Sequence, residues 1–107
     1  MDDDVPMARN RMFIVRACPT RFPGDARYGL VTTKRTFRHA VDRNRARRLL
    51  RDWIGHNERL LRPDWDYVFI ARTPILDATR ADGRDAIRKA LRYISRMDIP
   101  APQVTND

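Results

Sequence analysis

Arg43, Asn44, Arg45, Arg47, Arg48 and Arg51 crowd into nine positions of one short stretch, AVDRNRARRLLRDW, residues 40–53. Guanidinium forks pair with phosphate oxygens two bonds at a time, and an asparagine amide beside them both donates and accepts. The chemistry this cluster offers is therefore binding of a polyanion, not bond cleavage. Lys34 and Arg35 stand just upstream and add to the same charge. Residues 34–51 hold eight Lys or Arg against one Asp, a net of +7, and leave only +1 of the chain's +8 for everything else. Charge concentrated in this way marks a binding surface rather than general solubility.

Other chemistry-bearing residues are sparse. His39 and His56 have no nucleophile or second ligand suitably paired with them, so neither reads as a general base or a metal ligand. Asp64 and Asp66 flank Trp65 and suggest a turn. Asp77, Asp82 and Asp85 read as capping and first-turn residues. Cys18 is the only cysteine, which excludes an intramolecular disulfide and a Cys-rich zinc cluster and makes it an inert, half-buried thiol. There is no Gly-rich phosphate loop and no triad. The expectation is no catalytic residue, no metal ligand and no cofactor bound by the polypeptide itself.

The elements that must position the cluster follow from periodicity. Ala46, Leu49, Leu50, Trp53, Ile54, Leu60 and Leu61 recur at three- and four-residue spacing and predict a helix over 42–61 with Asp42 as its cap. Arg47, Arg48, Arg51 and Asn44 fall opposite that stripe, and Arg43 and Arg45 flank the first turn. Gly55 weakens the middle and allows a bend or a close contact. MFIVRAC (12–18) predicts a strand with Phe13 and Val15 on one side and Ile14 and Arg16 on the other. YGLVTT (28–33) predicts a second, and the intervening loop suggests an antiparallel, hairpin-like pair. DYVFIAR (66–72) predicts a third. TPILDA (73–78) reads as a loop. Thr79 and Asp82 form a capping pair for a second helix to Arg96, with Ala86, Ile87, Ala90, Leu91 and Ile94 buried. Residues 1–11 and 98–107 are expected to be disordered around a single domain, 12–97. The order β-β-α-β-α makes an α+β fold, a small sheet of three to four strands packed by helices. At 107 residues, 42% hydrophobic and 34% charged, the chain suits one small folded core. No apolar run approaches a membrane span, the N-terminus is too polar for a secretory signal, and a reducing cytoplasm fits.

RYGLVTTKR (27–35) followed by the arginine-rich helix resembles the protein subunit of bacterial ribonuclease P. Arg27, Gly29, Leu30, Lys34, Arg35, Arg43, Asn44, Arg45, Arg48 and Arg51 stand at matching places, Arg47 sits where the family commonly has lysine, and DYVFIAR is similar to the family's D-x-x-x-x-A-R strand. The resemblance implies a partner, the catalytic RNA, which with Mg²⁺ removes the 5′ leader from precursor tRNA, one protein serving one RNA. It implies RNA contacts from Lys34, Arg35, Arg43, Asn44, Arg45, Arg47, Arg48 and Arg51. It also implies a leader cleft, for which Phe13, Val15, Tyr28 and Phe37 are candidates, although core packing is the plainer reading of Phe13 and Val15. Base stacking on exposed aromatics contributes roughly 1–3 kcal/mol each. The family further implies a left-handed βαβ crossover through the basic helix, against the usual right-handed rule. It implies an N-terminal helix with basic residues and phenylalanines, whereas MDDDVPMARNR before the first strand has three aspartates and no phenylalanine. A structural RNA-binding module such as a ribosomal protein is the alternative. A membrane-surface helix is disfavoured because the apolar stripe is needed for the core, and a DNA-reading helix because the side chains suit phosphates more than base edges.

Overall fold

The computed structural model describes residues 6–20 and 27–97. In chain order the elements are β1 (Met7–Arg9), β2 (Phe13–Pro19), β3 (Arg27–Val31), α1 (Ala40–His56), β4 (Trp65–Ala71) and α2 (Arg80–Ser95), with short 3₁₀ turns at Glu58–Leu60 and Thr73–Asp77. One sheet runs β1-β2-β4-β3. The α+β class holds, and the basic helix is the crossover of a βαβ unit, because β3 pairs with β4 in parallel.

Three expectations about strands and loops change. The hairpin-like pair of the second and third strands does not form: β2 pairs antiparallel with β4, placing β4 between β2 and β3. Burial explains the choice, since the strand with the most large apolar side chains on one side (Trp65, Tyr67, Phe69) takes a central position. Residues 1–11 are not loose throughout, because Met7–Arg9 adds an edge strand to β2. The Asn10 side chain holds the reversal that follows, accepting from the N–H groups of Met12 and Phe13. The segment TPILDA closes into a 3₁₀ turn and buries Ile75. Residues 1–5, 21–26 and the expected tail 98–107 lie outside the described residues.

Alternation in β2 and β4 decides the layers. Phe13, Val15 and Ala17 share a face with Trp65, Tyr67, Phe69 and Ala71, all buried, and both helices cover that face. Ile14 and Arg16 lie opposite Ile70 and Val68 on the other, open face. The aromatic row is closely packed: Phe13 meets Phe69 edge-on at 6.0 Å and Tyr67 stacks on Phe69 at 6.4 Å. Helix α1 buries Ala46, Leu50, Trp53 and Ile54, and α2 buries Ile87, Ala90, Leu91 and Ile94. Burying ten such large side chains completely contributes on the order of 1.5–3 kcal/mol each before chain entropy is counted.

Helix α1 starts two residues before the expected Asp42 and stops at His56 rather than Leu61. His39 takes the cap position without a side-chain bond, and Asp42 instead lies in the first turn. Asn57 ends the helix. It is buried, and its amide donates to the carbonyls of Trp53 and Arg84, each at 3.0 Å. One side chain thus satisfies an orphan carbonyl of α1 and ties it to α2. The two helices pack tightly at Gly83, where a methyl group would overlap the indole ring of Trp53. Gly55, by contrast, has nothing near its missing side chain, so no close contact requires glycine there. The Thr79 hydroxyl caps α2 as its spacing to Asp82 predicts, accepting the Asp82 N–H at 3.1 Å.

Candidate nucleic-acid interface

The basic surface begins in the turn before α1. Lys34 and Arg35 are exposed there. The Thr33 hydroxyl accepts the Thr36 N–H, and the Phe37 N–H donates to the Thr33 carbonyl at 2.9 Å. Phe37 is buried and anchors this turn to the core. Arg43 reaches back from α1 and donates through Nη1 to the carbonyl of Phe37 at 2.9 Å and, at 3.5 Å, to that of Arg38. One arm of Arg43 therefore holds the turn against the helix and sets Lys34 and Arg35 beside the remaining arginines. This makes Arg43 a brace as well as a charge, a role the spacing alone did not suggest.

Asn44, Arg45, Arg48 and Arg51 are exposed and Arg47 is half-buried. Among the described residues none of the four arginine side chains has an ion pair or hydrogen bond. Unpaired guanidiniums at helical spacing repel one another, and a bound polyanion removes that repulsion. The carboxylate at the far end of the row, Asp52, is engaged elsewhere, bonded to Arg84 at 3.1 Å and close to Arg80 at 3.8 Å. The Arg84 hydrogen bond holds the Asp52 carboxyl below its ordinary acidity range, against a smaller opposing push from desolvation.

The leader-cleft candidates separate. Phe13 and Val15 are fully buried beneath the helices, and Phe37 is buried in its turn, so none of the three can stack on a base. The cause is the face they occupy: alternation points them at α1 and α2. Tyr28 alone is exposed, at 38%, on the outer strand β3 with its ring edge-on to Phe69 at 6.0 Å. Trp53 and Trp65 are core residues, as expected, although the Arg62 guanidinium also lies 4.4 Å from the Trp65 ring centre. Asp64 pairs with Arg62 at 3.2 Å, which fits its turn role. His39 and His56 are exposed. Cys18 is exposed rather than half-buried, because it faces the open side of the sheet. Among the described residues no group of three or more His, Cys, Asp or Glu could hold a metal ion, and no helix is long and apolar enough to cross a membrane.

Two features escaped the sequence reading. Arg9 and Arg16 are exposed beside Val68 and the half-buried Ile14 and Ile70 on the open sheet face. The alternation that put Arg16 opposite Phe13 was the available signal. The second is the meeting of Arg80 and Arg84 with Asp52 across two helices, for which residues 28 and 32 apart carry no local signal.

Comparison with known proteins agrees with this architecture. The chain matches the protein family described as Ribonuclease P over residues 6–95. It is 37% identical over 83 residues to a ribonuclease P protein component of Shouchella clausii, a match covering 78% of this chain and 67% of the relative. A second such component, from Halalkalibacterium halodurans, is 37% identical over 70 residues, covering 65% of this chain and 58% of the relative. The matched stretch thus spans from somewhat over half to about two thirds of these relatives. Among solved structures, the Staphylococcus aureus RNase P protein is 28% identical with a TM-score of 0.65, covering 80% of this chain and 77% of that one. The Thermotoga maritima RNase P protein, at 19% identity, shares the fold with a TM-score of 0.71 over 89% of this chain and 86% of that one. With that match reaching from β1 to the end of α2, the chain belongs to the ribonuclease P protein family.

Proposed function

We propose that the chain is the protein subunit of ribonuclease P, assisting the endonucleolytic removal of the 5′ leader from precursor tRNA. Asn44, Arg45, Arg47, Arg48 and Arg51, with Lys34 and Arg35, contact phosphates of the catalytic RNA or of the substrate beside the cleavage site. Arg43 holds the turn and the helix in one rigid surface. Tyr28 is the remaining candidate for stacking on the leader. The observation that carries this reading is the row of α1 arginines without partners among the described residues, next to an anchored basic turn.

The bond-breaking chemistry belongs to the RNA, whose Mg²⁺ ions activate water and neutralise charge on the reacting phosphate. The protein's part is to add cations at fixed positions, which raises affinity for precursor tRNA and lowers the Mg²⁺ concentration required. One protein per RNA and a bacterial cytoplasmic location complete the reading.

The test is reconstitution with a bacterial ribonuclease P RNA and precursor tRNA at low Mg²⁺. Leader removal should be faster than with RNA alone. No acceleration, together with tight binding to ribosomal RNA, would instead identify a structural RNA-binding module.

A further inference from the structure

Beside α1 lies a depression of about 360 Å³ lined by Arg45, Arg48, Leu49, Asp52, Trp53 and Arg80. The α1 residues recur at three- and four-residue spacing, so they form one continuous stripe of that helix. Arg80 comes from the first turn of α2, at the positive end of its dipole. Three guanidiniums from two helices therefore surround one hollow.

We infer that this hollow seats a backbone phosphate of the bound RNA, and that Arg80 extends the phosphate-binding surface from α1 onto α2. This inference rests on the RNA-binding reading above. The charge balance supports it. Asp52 is the only carboxylate in the wall, and its hydrogen bond goes to Arg84 at 3.1 Å. Arg80 stands 3.8 Å from the other oxygen, beyond hydrogen-bond range, with its side chain 74% exposed. With Asp52 and Arg84 cancelling, Arg45, Arg48 and Arg80 leave a net charge of +3 around the hollow. The hollow is large enough for a phosphate group with some of its water, since liquid water takes about 30 Å³ per molecule. Its floor is rigid. Leu49 and Trp53 belong to the packed helix face, and the Trp53 indole N–H has no partner among the described residues. Asp52, bonded to Arg84 at 3.1 Å and 3.8 Å from Arg80, links the start of α2 to the stripe of α1 that carries Arg45 and Arg48.

Binding of a bacterial ribonuclease P RNA would be titrated at several salt concentrations with the wild-type chain and with Arg80→Ala, Arg48→Ala and Arg88→Ala. Arg88 is paired with Asp85 on α2 and serves as the control. Arg80→Ala should lower the log–log salt slope by roughly one unit, as Arg48→Ala does, while Arg88→Ala leaves it unchanged. Arg80→Lys, which keeps the charge, should restore most of the slope. Because Arg80 is so exposed, its variants should melt with the wild type. A lowered slope for Arg48→Ala with none for Arg80→Ala would overturn the α2 subsite and leave the RNA-binding reading standing. Unchanged slopes for both would overturn the two together. If inorganic phosphate shifts the Arg80 and Arg48 side-chain resonances of the free protein while the Arg80→Ala slope stays at the wild-type value, the hollow takes free phosphate only, and the inference fails.

Discussion

On α1, Arg45, Arg47, Arg48 and Arg51 have no partner among the described residues, whereas on α2 Arg84 is bonded to Asp52, and Arg88 and Lys89 to Asp85. The two helices are nearly equal in length and each buries a four- or five-residue stripe. They differ in where the carboxylates stand. On α2, Asp85 precedes Arg88 and Lys89 by three and four residues, the spacing at which side chains meet on a helix. On α1, Asp42 lies in the first turn and Asp52 turns toward α2. An arginine that is already neutralised has little charge to offer a phosphate, so in the proposed reading α1 is the binding helix and α2 mainly its support, although Arg80, 3.8 Å from Asp52, and the exposed Arg92 keep some charge available on α2.

The sharpest way to break that contrast is to disturb the support. Gly83→Ala forces a methyl group into the Trp53 ring and should cost about 3 kcal/mol, seen as a lower melting temperature. Near-wild-type stability would show that the helices can separate freely at this point. Asn57→Ala removes a buried hydrogen bond that caps the end of α1 and a part-buried one that joins it to α2, and should cost about 1–3 kcal/mol in denaturant unfolding. Its RNA salt slope should match the wild type, since no phosphate contact is lost.

Single substitutions on the binding helix should do the opposite. Arg51→Ala should change stability by less than about 0.5 kcal/mol, yet reduce the log–log salt slope of RNA binding by roughly one unit. A stability loss with an unchanged slope would place Arg51 among the structural residues. Arg43→Ala should be intermediate, weakening both, because one arm braces the turn through the Phe37 carbonyl.

The smallest effect concerns pH. The carboxyls of Asp52 and Asp85 both ionise more readily than usual, held chiefly by hydrogen bonds from Arg84 and from Lys89 respectively. A carboxylate whose folded value is depressed adds stability above its unfolded value, and that contribution disappears as pH falls through the folded one. Stability should therefore decline slightly below the ordinary aspartate value of 3.8. Asp52→Asn should flatten part of that decline, as followed by melting temperature against pH.

Much of this was readable along the chain. The strands β2, β3 and β4 fall within two residues of their predicted bounds because alternation and β-branching are local signals. Thr79 and Asp82 identified the start of α2 for the same reason. β1 was missed because three residues, MAR, are too short to show a period and owe their strand form to pairing with β2. The hairpin-like pair failed because strand order is a contest among non-local partners, and β4 offered the larger buried face.

The sequence by itself determined that positive charge would be concentrated over residues 34–51 and carried by a helix with one apolar stripe. Both follow from residue type and a 3.6-residue period, which need no knowledge of neighbours. Only the tertiary structure decided which cations are available. Arg43 turned onto the backbone, Asp52 turned away to Arg84, Phe37 left the candidate cleft for the core, and Arg80 crossed to the hollow beside Arg45 and Arg48. The physical reason is that pairing, burial and repulsion depend on distances through space between residues far apart in the chain.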